Sequence, residues 1–362
     1  MDQGRRVMST VDVVVPCYNY GRFLERCVYS ALDQPGVDVR VLVIDDTSKD
    51  DSADVGRALA ARDPRIEFRR HEINKGHIAT YNEGLLGWVS SDYCILLSAD
   101  DLLAPGALGR AVSLMDANPN VHLAYGLAMI ITDDQDLASQ QLRPPVQGKI
   151  VSGQQFLKYC MENTHNPVPT PTAVVRSSIQ KLVGGYKKEL PHTGDEEMWM
   201  RFAANGDVAY FDCTQAYYRR HGANMSVQYY SQSLGDRREW LLATETALKE
   251  WSSKIPKAAE WSKAARAKLA EETFWYAVRA FDDGDSKTAE TYANFVVEVF
   301  PEYANTHHWK RFATKRRMGA RLWKIIGPIV DAVRGNRVTP YTPPQRLVIQ
   351  PGEHEGWSPE SA

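Results

Sequence analysis

The stretch Tyr93-Cys94-Ile95-Leu96-Leu97-Ser98-Ala99-Asp100-Asp101 decides how this chain is read. Its first six residues form a strand-favouring run, so the pair Asp100-Asp101 sits where a buried strand surfaces. Hard divalent ions such as Mg²⁺ or Mn²⁺ take oxygen ligands. Carboxylates at a strand's C-terminal end can hold one of them against a substrate diphosphate. Metal-assisted diphosphate chemistry is the first expectation. The competing reading is structural, because Leu102-Leu103-Ala104-Pro105 can open a helix that the aspartates would cap.

Outward from this strand the pattern repeats. Val11 to Val15 is an apolar run ended by Pro16, and Phe23 to Leu32 carries apolar residues at helical spacing. Val39 to Ile44 predicts a strand ending in Asp45-Asp46-Thr47-Ser48, Ser52 to Arg62 a helix, and Ile66 to Phe68 a third strand. The polar loop Asn74-Lys75-Gly76-His77 leads into a helix through Tyr81, Leu85 and Trp88. Strands alternating with helices predict an α/β fold, a doubly wound and mostly parallel sheet flanked by helices, with ligands gathered at the carboxyl ends of the strands. Tyr18-Asn19, Asp45-Asp46 and Asp100-Asp101 each follow a strand and so line one rim. Neither a G-x-G-x-x-G after the first strand nor a G-x-x-x-x-G-K-[ST] loop occurs, which argues against a dinucleotide dehydrogenase and a P-loop kinase.

Further on, Leu123 to Ile131 reads as a strand and Thr132 to Lys149 as a polar loop that covers the site. Pro167-Val168-Pro169-Thr170-Pro171-Thr172 imposes extended backbone ahead of Ala173-Val174-Val175. A helix carrying Gly194-Asp195-Glu196-Glu197 follows, and then Tyr217-Tyr218-Arg219-Arg220-His221-Gly222, rich in groups that bind phosphate or metal.

The 362 residues suit one large α/β domain plus an appendage, and a net charge of −2 with 43% hydrophobic residues describes an ordinary globular chain with no specific nucleic-acid partner. No run approaches the roughly 20 apolar residues needed to cross a bilayer. The N-terminal residues lack the apolar core of a secretory signal, so a cytoplasmic location is expected. Five cysteines without paired short spacing read as reduced and structural.

Residues from Ser9 to Ser226 resemble the inverting glycosyltransferase family two, which has the GT-A fold and uses nucleotide-sugars. The resemblance rests on Val15-Pro16-Cys17-Tyr18-Asn19, Ile44-Asp45-Asp46-Thr47-Ser48, Asn74-Lys75-Gly76 followed by Asn82-Glu83-Gly84, Ser98-Ala99-Asp100-Asp101, Gly194-Asp195-Glu196 and Arg219-Arg220-His221, in that order. It implies that Pro16, Tyr18 and Asp46 hold the base and ribose, with Asn19, Asn74, Gly76 and Asn82 also on the donor side. It makes Asp101 the direct ligand of Mn²⁺ or Mg²⁺, with Asp100 facing the donor sugar or ribose. His221 completes the metal or diphosphate site, Arg219 and Arg220 add charge, and Asp195 is the catalytic base. Gly194 stands where many relatives carry Glu, which leaves the choice among Asp195, Glu196 and Glu197 open. Plainer readings exist for each position: the three acids favour any helix N-terminus, His221 suits a surface site, Tyr18 a packed aromatic, and Asn74, Asn82 and Asp45-Asp46 suit turns or a helix surface.

The implied reaction is attack of an acceptor hydroxyl on the anomeric carbon of a nucleoside-diphosphate sugar, UDP-linked, on a saccharide or glycolipid acceptor. A carboxylate base takes the proton while the metal site absorbs the charge of the leaving diphosphate. A sugar-1-phosphate nucleotidyltransferase would need a Gly-rich, Arg-containing loop after the first strand, which is missing. A catalytically inactive nucleotide-sugar-binding scaffold is the alternative from another class.

Boundaries are expected near residues 228, 305 and 337. Residues 1–228 would form the catalytic domain and 229–305 a helical appendage with one tetratricopeptide-like hairpin around Gly284-Asp285. Residues 306–337 read as a basic amphipathic segment with Met318, Leu322, Ile325, Ile329 and Val333 on one stripe. That segment suits either an anionic membrane surface or the protein's own acidic surface. Residues 338–362 read as a mobile tail.

Overall fold

Val11, Val13, Val15 and Cys17 pack into one hydrophobic cluster and Val14 into another. The next strand repeats this, with Val39, Val41 and Val43 on the first side and Leu42 and Ile44 on the second. This period of two, apolar on both faces, marks strands buried between two layers of helices. A computed structural model of the protein describes residues 8–132, 142–222, 224, 234–319, 322–323, 326 and 354–355.

The N-terminal part alternates β1 (Thr10–Cys17), α1 (Gly21–Leu32), β2 (Asp38–Asp45), α2 (Ser52–Arg62), β3 (Ile66–Arg70), α3 (His77–Asn82) and β4 (Tyr93–Leu96). A π-helical turn, Glu83–Trp88, continues α3. Next come β5 (Leu102–Leu103), α4 (Ala107–Ala117), β6 (Val121–Ile131), β7 (Lys149–Val151), α5 (Gly153–Glu162), β8 (Val174–Arg176), α6 (Ser177–Val183), α7 (Gly194–Asn205) and β9 (Asp207–Arg219). The sheet runs β3-β2-β1-β4-β8-β6-β9-β5. Pairing is parallel from β3 through β4 and between β6 and β9, and antiparallel where β8 enters. The mixed sheet and its flanking helices are the GT-A type architecture expected from the sequence.

Asp12 is a fully buried charge inside β1. Its carboxylate accepts from Arg40, from the Ser90 and Ser91 N–H groups and from the Ser91 hydroxyl, so it enters the core fully hydrogen-bonded. All five cysteines are buried and unbridged.

The helix that Asp100-Asp101 might have capped does not form. Leu102–Leu103 instead pairs antiparallel with Ala216–Tyr217 of β9. This register brings the end of β9, with Arg219 to His221, against the acid pair.

The C-terminal part consists of α8 (Leu234–Glu250), α9 (Ala258–Asp283), α10 (Ser286–Val299) and α11 (His307–Met318), with β10 (His354–Glu355) pairing antiparallel to β6 at Ala128–Met129. Gly284, at φ 92°, ends α9, and the Asp285 side chain caps α10, making the hairpin. Trp240, Leu248, Trp261, Leu269, Phe295 and Val299 join the same core as Phe156, Trp199 and Phe202 of the sheet-covering helices. A separate cluster around Phe274, Phe281 and Phe312 holds α9, α10 and α11 together. Of the basic side chains on α11, Lys315 pairs with Asp282 and Arg316 with Glu290. Among the described residues no helix is long and apolar enough to cross a membrane. Residues 133–141 of the expected covering loop lie outside the described residues, as do Ile325, Ile329 and Val333 and all of 338–362 except His354–Glu355.

Candidate active site

Three strand ends supply the rim. After β4, Asp100 and Asp101 are both nearly inaccessible, at 5% and 2% exposure. Asp101 Oδ1 accepts the Arg219 N–H at 2.9 Å. Asp100 Oδ2 lies 3.2 Å from His221 Nε2 and accepts from Asn224 Nδ2 at 3.1 Å. Arg219 is a brace, its Nε donating to the Asp100 carbonyl at 2.9 Å and its Nη1 to the Thr132 carbonyl at 3.1 Å. The His221 ring stacks on Phe23 and meets Tyr20 edge-on, each at 5.4 Å. Arg220, partly exposed, hangs its backbone on the Ile131 carbonyl and its guanidinium over Tyr218. Asn224, Phe23 and Tyr20 are site residues that the sequence reading passed over. Asn224 lies three residues past His221 with no motif to flag it.

At the end of β1, Pro16 is half-buried, and Tyr18 just beyond it is 43% exposed. Asn19 adopts φ 61°, a left-handed conformation that asparagine tolerates, and its Oδ1 accepts the Lys49 N–H at 2.7 Å. That bond ties the loop after β1 to the loop after β2.

After β2, Asp46 spends its carboxylate on the protein. Oδ1 accepts the Lys75 N–H at 2.8 Å and meets His71 Nδ1 at 2.7 Å, and Oδ2 accepts the Gly76 N–H at 2.9 Å. The Asn74 amide donates to the Asp46 carbonyl at 3.0 Å. Gly76 takes φ 81° in this turn, where a side chain would be strained. Asp46, Asn74 and Gly76 thus form one clamp, with the buried His71 bridging Asp46 to Glu83 at 3.0 Å. His71 follows β3 directly, so the strand-end rule that found Asp46 applies to it too. Asn82 faces another way, accepting the Tyr186 N–H at 2.7 Å and donating to the Tyr186 carbonyl at 2.8 Å.

Asp195 opens α7. Its Oδ2 accepts from Asn166 at 2.9 Å and Thr170 at 3.0 Å, and its Oδ1 accepts the Glu196 N–H at 2.8 Å. Burial nonetheless raises its carboxyl above the ordinary range, outweighing those hydrogen bonds. Asn166 precedes the proline-rich stretch and Thr170 lies within it; the expected extended backbone gives way at Thr170–Thr172 to a short 3-10 turn opened by Pro171. Glu196 and Glu197 turn inward: Glu196 accepts the Trp240 indole N–H at 3.0 Å, and Glu197 is ion-paired with buried Arg201 at 2.8 Å. Of the three acids, Asp195 is the one that stays partly accessible.

Glu239 of α8 holds the approach to α7, its Oε1 accepting the His192 and Thr193 N–H groups at 2.6 and 2.9 Å. With Trp240 on Glu196, α8 grips the chain on both sides of Asp195. The negative charges of Asp100, Asp195 and Asp101 all lie within electrostatic reach of the Tyr81 hydroxyl, which burial above all holds protonated. Among the described residues no three His, Cys, Asp or Glu side chains converge as a ready-made metal cage.

A GT-A sheet with buried acids at its strand ends defines a class of sugar-transferring enzymes, and the comparisons agree. The model described as Glycosyl transferase family 2 matches residues 12–183. An uncharacterized protein of Mycobacterium tuberculosis is 28% identical over 217 residues, covering 55% of this chain and 64% of that one. An uncharacterized glycosyltransferase of Haemophilus influenzae is 24% identical over 231 residues, covering 60% and 68%. Chondroitin synthase of Pasteurella multocida is 22% identical over 221 residues, 60% of this chain but 21% of the synthase. The match therefore spans about two thirds of the first two relatives and a fifth of the synthase. The crystal structure of S. aureus TarS 1–349 in complex with UDP-GlcNAc superposes with a TM-score of 0.51 at 13% identity, over 82% of this chain and 92% of that one, and so shares the fold. Residues 12–183 thus match the Glycosyl transferase family 2 model, and the chain is similar to proteins named as glycosyltransferases.

Proposed function

We propose that the enzyme moves a sugar from a nucleoside-diphosphate sugar, UDP-linked, to a saccharide hydroxyl with inversion at the anomeric carbon. The observation that carries this reading is Asp195, a partly accessible carboxylate raised by burial, whose charge reaches the Tyr81 hydroxyl together with those of Asp100 and Asp101. A base of raised pKa accepts a proton more readily, and such transfer contributes about 10²–10⁴-fold. Asn166, Thr170 and the Glu196 N–H orient the carboxylate by three hydrogen bonds. A single displacement with the base opposite the leaving group inverts configuration.

The donor set at the other end fits a hard divalent ion in kind: two buried carboxylates, Asp100 and Asp101, with the His221 imidazole 3.2 Å from Asp100. Asp101 and His221 would hold Mn²⁺ or Mg²⁺, donor diphosphate oxygens completing its shell, and the ion would neutralise charge on the departing diphosphate. The rim residues Pro16, Tyr18 and Asn19 and the Asp46 clamp would receive the nucleoside, Arg220 adding positive charge. TarS was crystallised with UDP-GlcNAc and the relatives include chondroitin synthase, which supports a UDP-sugar donor and a saccharide acceptor such as a cell-envelope glycan or lipid-linked saccharide.

Calorimetric titration with UDP, GDP and dTDP, with and without Mn²⁺, tests this. One nucleotide should bind in a metal-dependent way, and D101A should abolish that binding. Absence of binding to every nucleotide would remove the donor-site reading.

A further inference from the structure

Gly194, immediately ahead of Asp195, leaves room that an aromatic ring uses. A Cβ at 194 would meet Tyr186 Cδ1 at 3.3 Å, so the Tyr186 ring lies directly beside the base. That ring is fixed through its backbone. Asn82 clamps the Tyr186 N–H and carbonyl, and Gly185 runs so close that a Cβ there would strike Asn82 Oδ1 at 2.1 Å. Arg201 braces the Gly185 carbonyl at 2.8 Å and Gln180 the Gly184 carbonyl at 2.7 Å.

On this rigid base stands a short ladder. Tyr81 packs edge-on to Tyr186 with centroids 5.3 Å apart, and His77 to Tyr81 at 5.5 Å. His77 Nε2 is tied to the Pro191 carbonyl at 3.0 Å. Tyr186 is buried, whereas Tyr81 keeps part of its surface open. The Tyr81 hydroxyl is held protonated by burial and then by the negative charges of Asp100, Asp195 and Asp101. Both proposed ends of the reaction therefore lie within electrostatic reach of one side chain, and the Tyr186 ring links that side chain to the start of the helix bearing Asp195. In an in-line displacement the anomeric carbon lies between the leaving diphosphate and the base, so a residue that reaches both flanks the sugar being transferred.

We propose that Tyr81 is a sugar-contacting residue of the donor site, its ring packing on the apolar C–H surface of the transferred sugar and its hydroxyl hydrogen-bonding a sugar oxygen. This rests on the reading of Asp195 as base and Asp100-Asp101 as the diphosphate side. The ladder gives the contact a rigid geometry, because Tyr81 cannot shift without disturbing Tyr186 and the turn that leads to Asp195.

The test compares wild type, Y81F and Y81L by calorimetry with matched pairs: UDP against UDP-GlcNAc and UDP-glucose, GDP against GDP-mannose, and dTDP against dTDP-rhamnose. Wild type should bind one conjugate about tenfold tighter than its parent nucleotide, the increment that an aromatic contact plus a hydrogen bond supplies. Y81L should bring conjugate and parent to within about twofold while leaving the parent's affinity unchanged, and Y81F should lose only the hydroxyl's share, about threefold. An undiminished increment in Y81L overturns the proposal. So does equal loss of conjugate and parent affinity in Y81L, which would make Tyr81 purely structural, or a wild type that binds every conjugate no better than its parent. A wild type that binds no nucleotide at all fails earlier, at the donor-site reading itself.

Discussion

Asp195 carries a cost that the proposed role as base would explain. Its carboxyl sits above the ordinary carboxylate range because burial disfavours the charged form. Between the unfolded and folded pKa values the native state binds more protons than the unfolded chain, so this group's contribution to stability is present at low pH and falls as pH rises through that window. D195N, which removes the charge, should melt no lower than wild type at about pH 8, with any difference narrowing toward about pH 3, below the unfolded pKa, where the carboxyl is protonated in both states. Thermal melts at the two pH values check this, and a D195N that is clearly less stable at the higher pH contradicts it. Asp100, Asp101 and Asp195 were legible as candidates because each follows a pattern readable in one dimension, a strand end or an ordered motif. What Asp46 and Asn82 hold was not legible. Asn82 meets Tyr186, 104 residues later, and nothing local to either residue specifies the pairing.

At the scale of elements, most of the N-terminal strands and helices were predictable from periodicity, and α2 spans Ser52–Arg62 as expected. The short strand β5 was not, since two leucines after an acid pair are equally good helix openers. Its pairing with β9 is a tertiary choice that overrides local propensity. The role of α8 was likewise hidden: its sequence reads only as part of a helical appendage, and the fold alone shows Glu239 and Trp240 on either side of Asp195. Glu239→Ala leaves the His192 and Thr193 N–H groups without their partner, which should cost about 1–3 kcal/mol of stability. It should also lower turnover while leaving nucleotide affinity unchanged. Glu239→Gln, whose amide oxygen can accept the same two bonds, should recover most of the turnover. If both variants match wild type in turnover, α8 does not position the base.

Across the whole molecule, the expected boundary at residue 228 lies outside the described residues, while Trp240, Trp261 and Phe295 beyond it share one core with Phe156, Trp199 and Phe202 before it. Composition marks the change from α/β to helical sequence, but it cannot tell a separate module from a layer laid onto the catalytic domain, since both need one apolar face. Here the layer holds the chain on both sides of Asp195 through α8, and under the proposed role of Asp195 as base this would tie the appendage to transfer. The most direct test of transfer is cleavage of the nucleotide-sugar by the full chain, measured as nucleoside diphosphate release for wild type and D195N with nucleotide affinity determined in parallel. D195N should retain nucleotide affinity and lose about 10²–10⁴-fold in release; release at the wild-type rate from D195N would contradict Asp195 as the base.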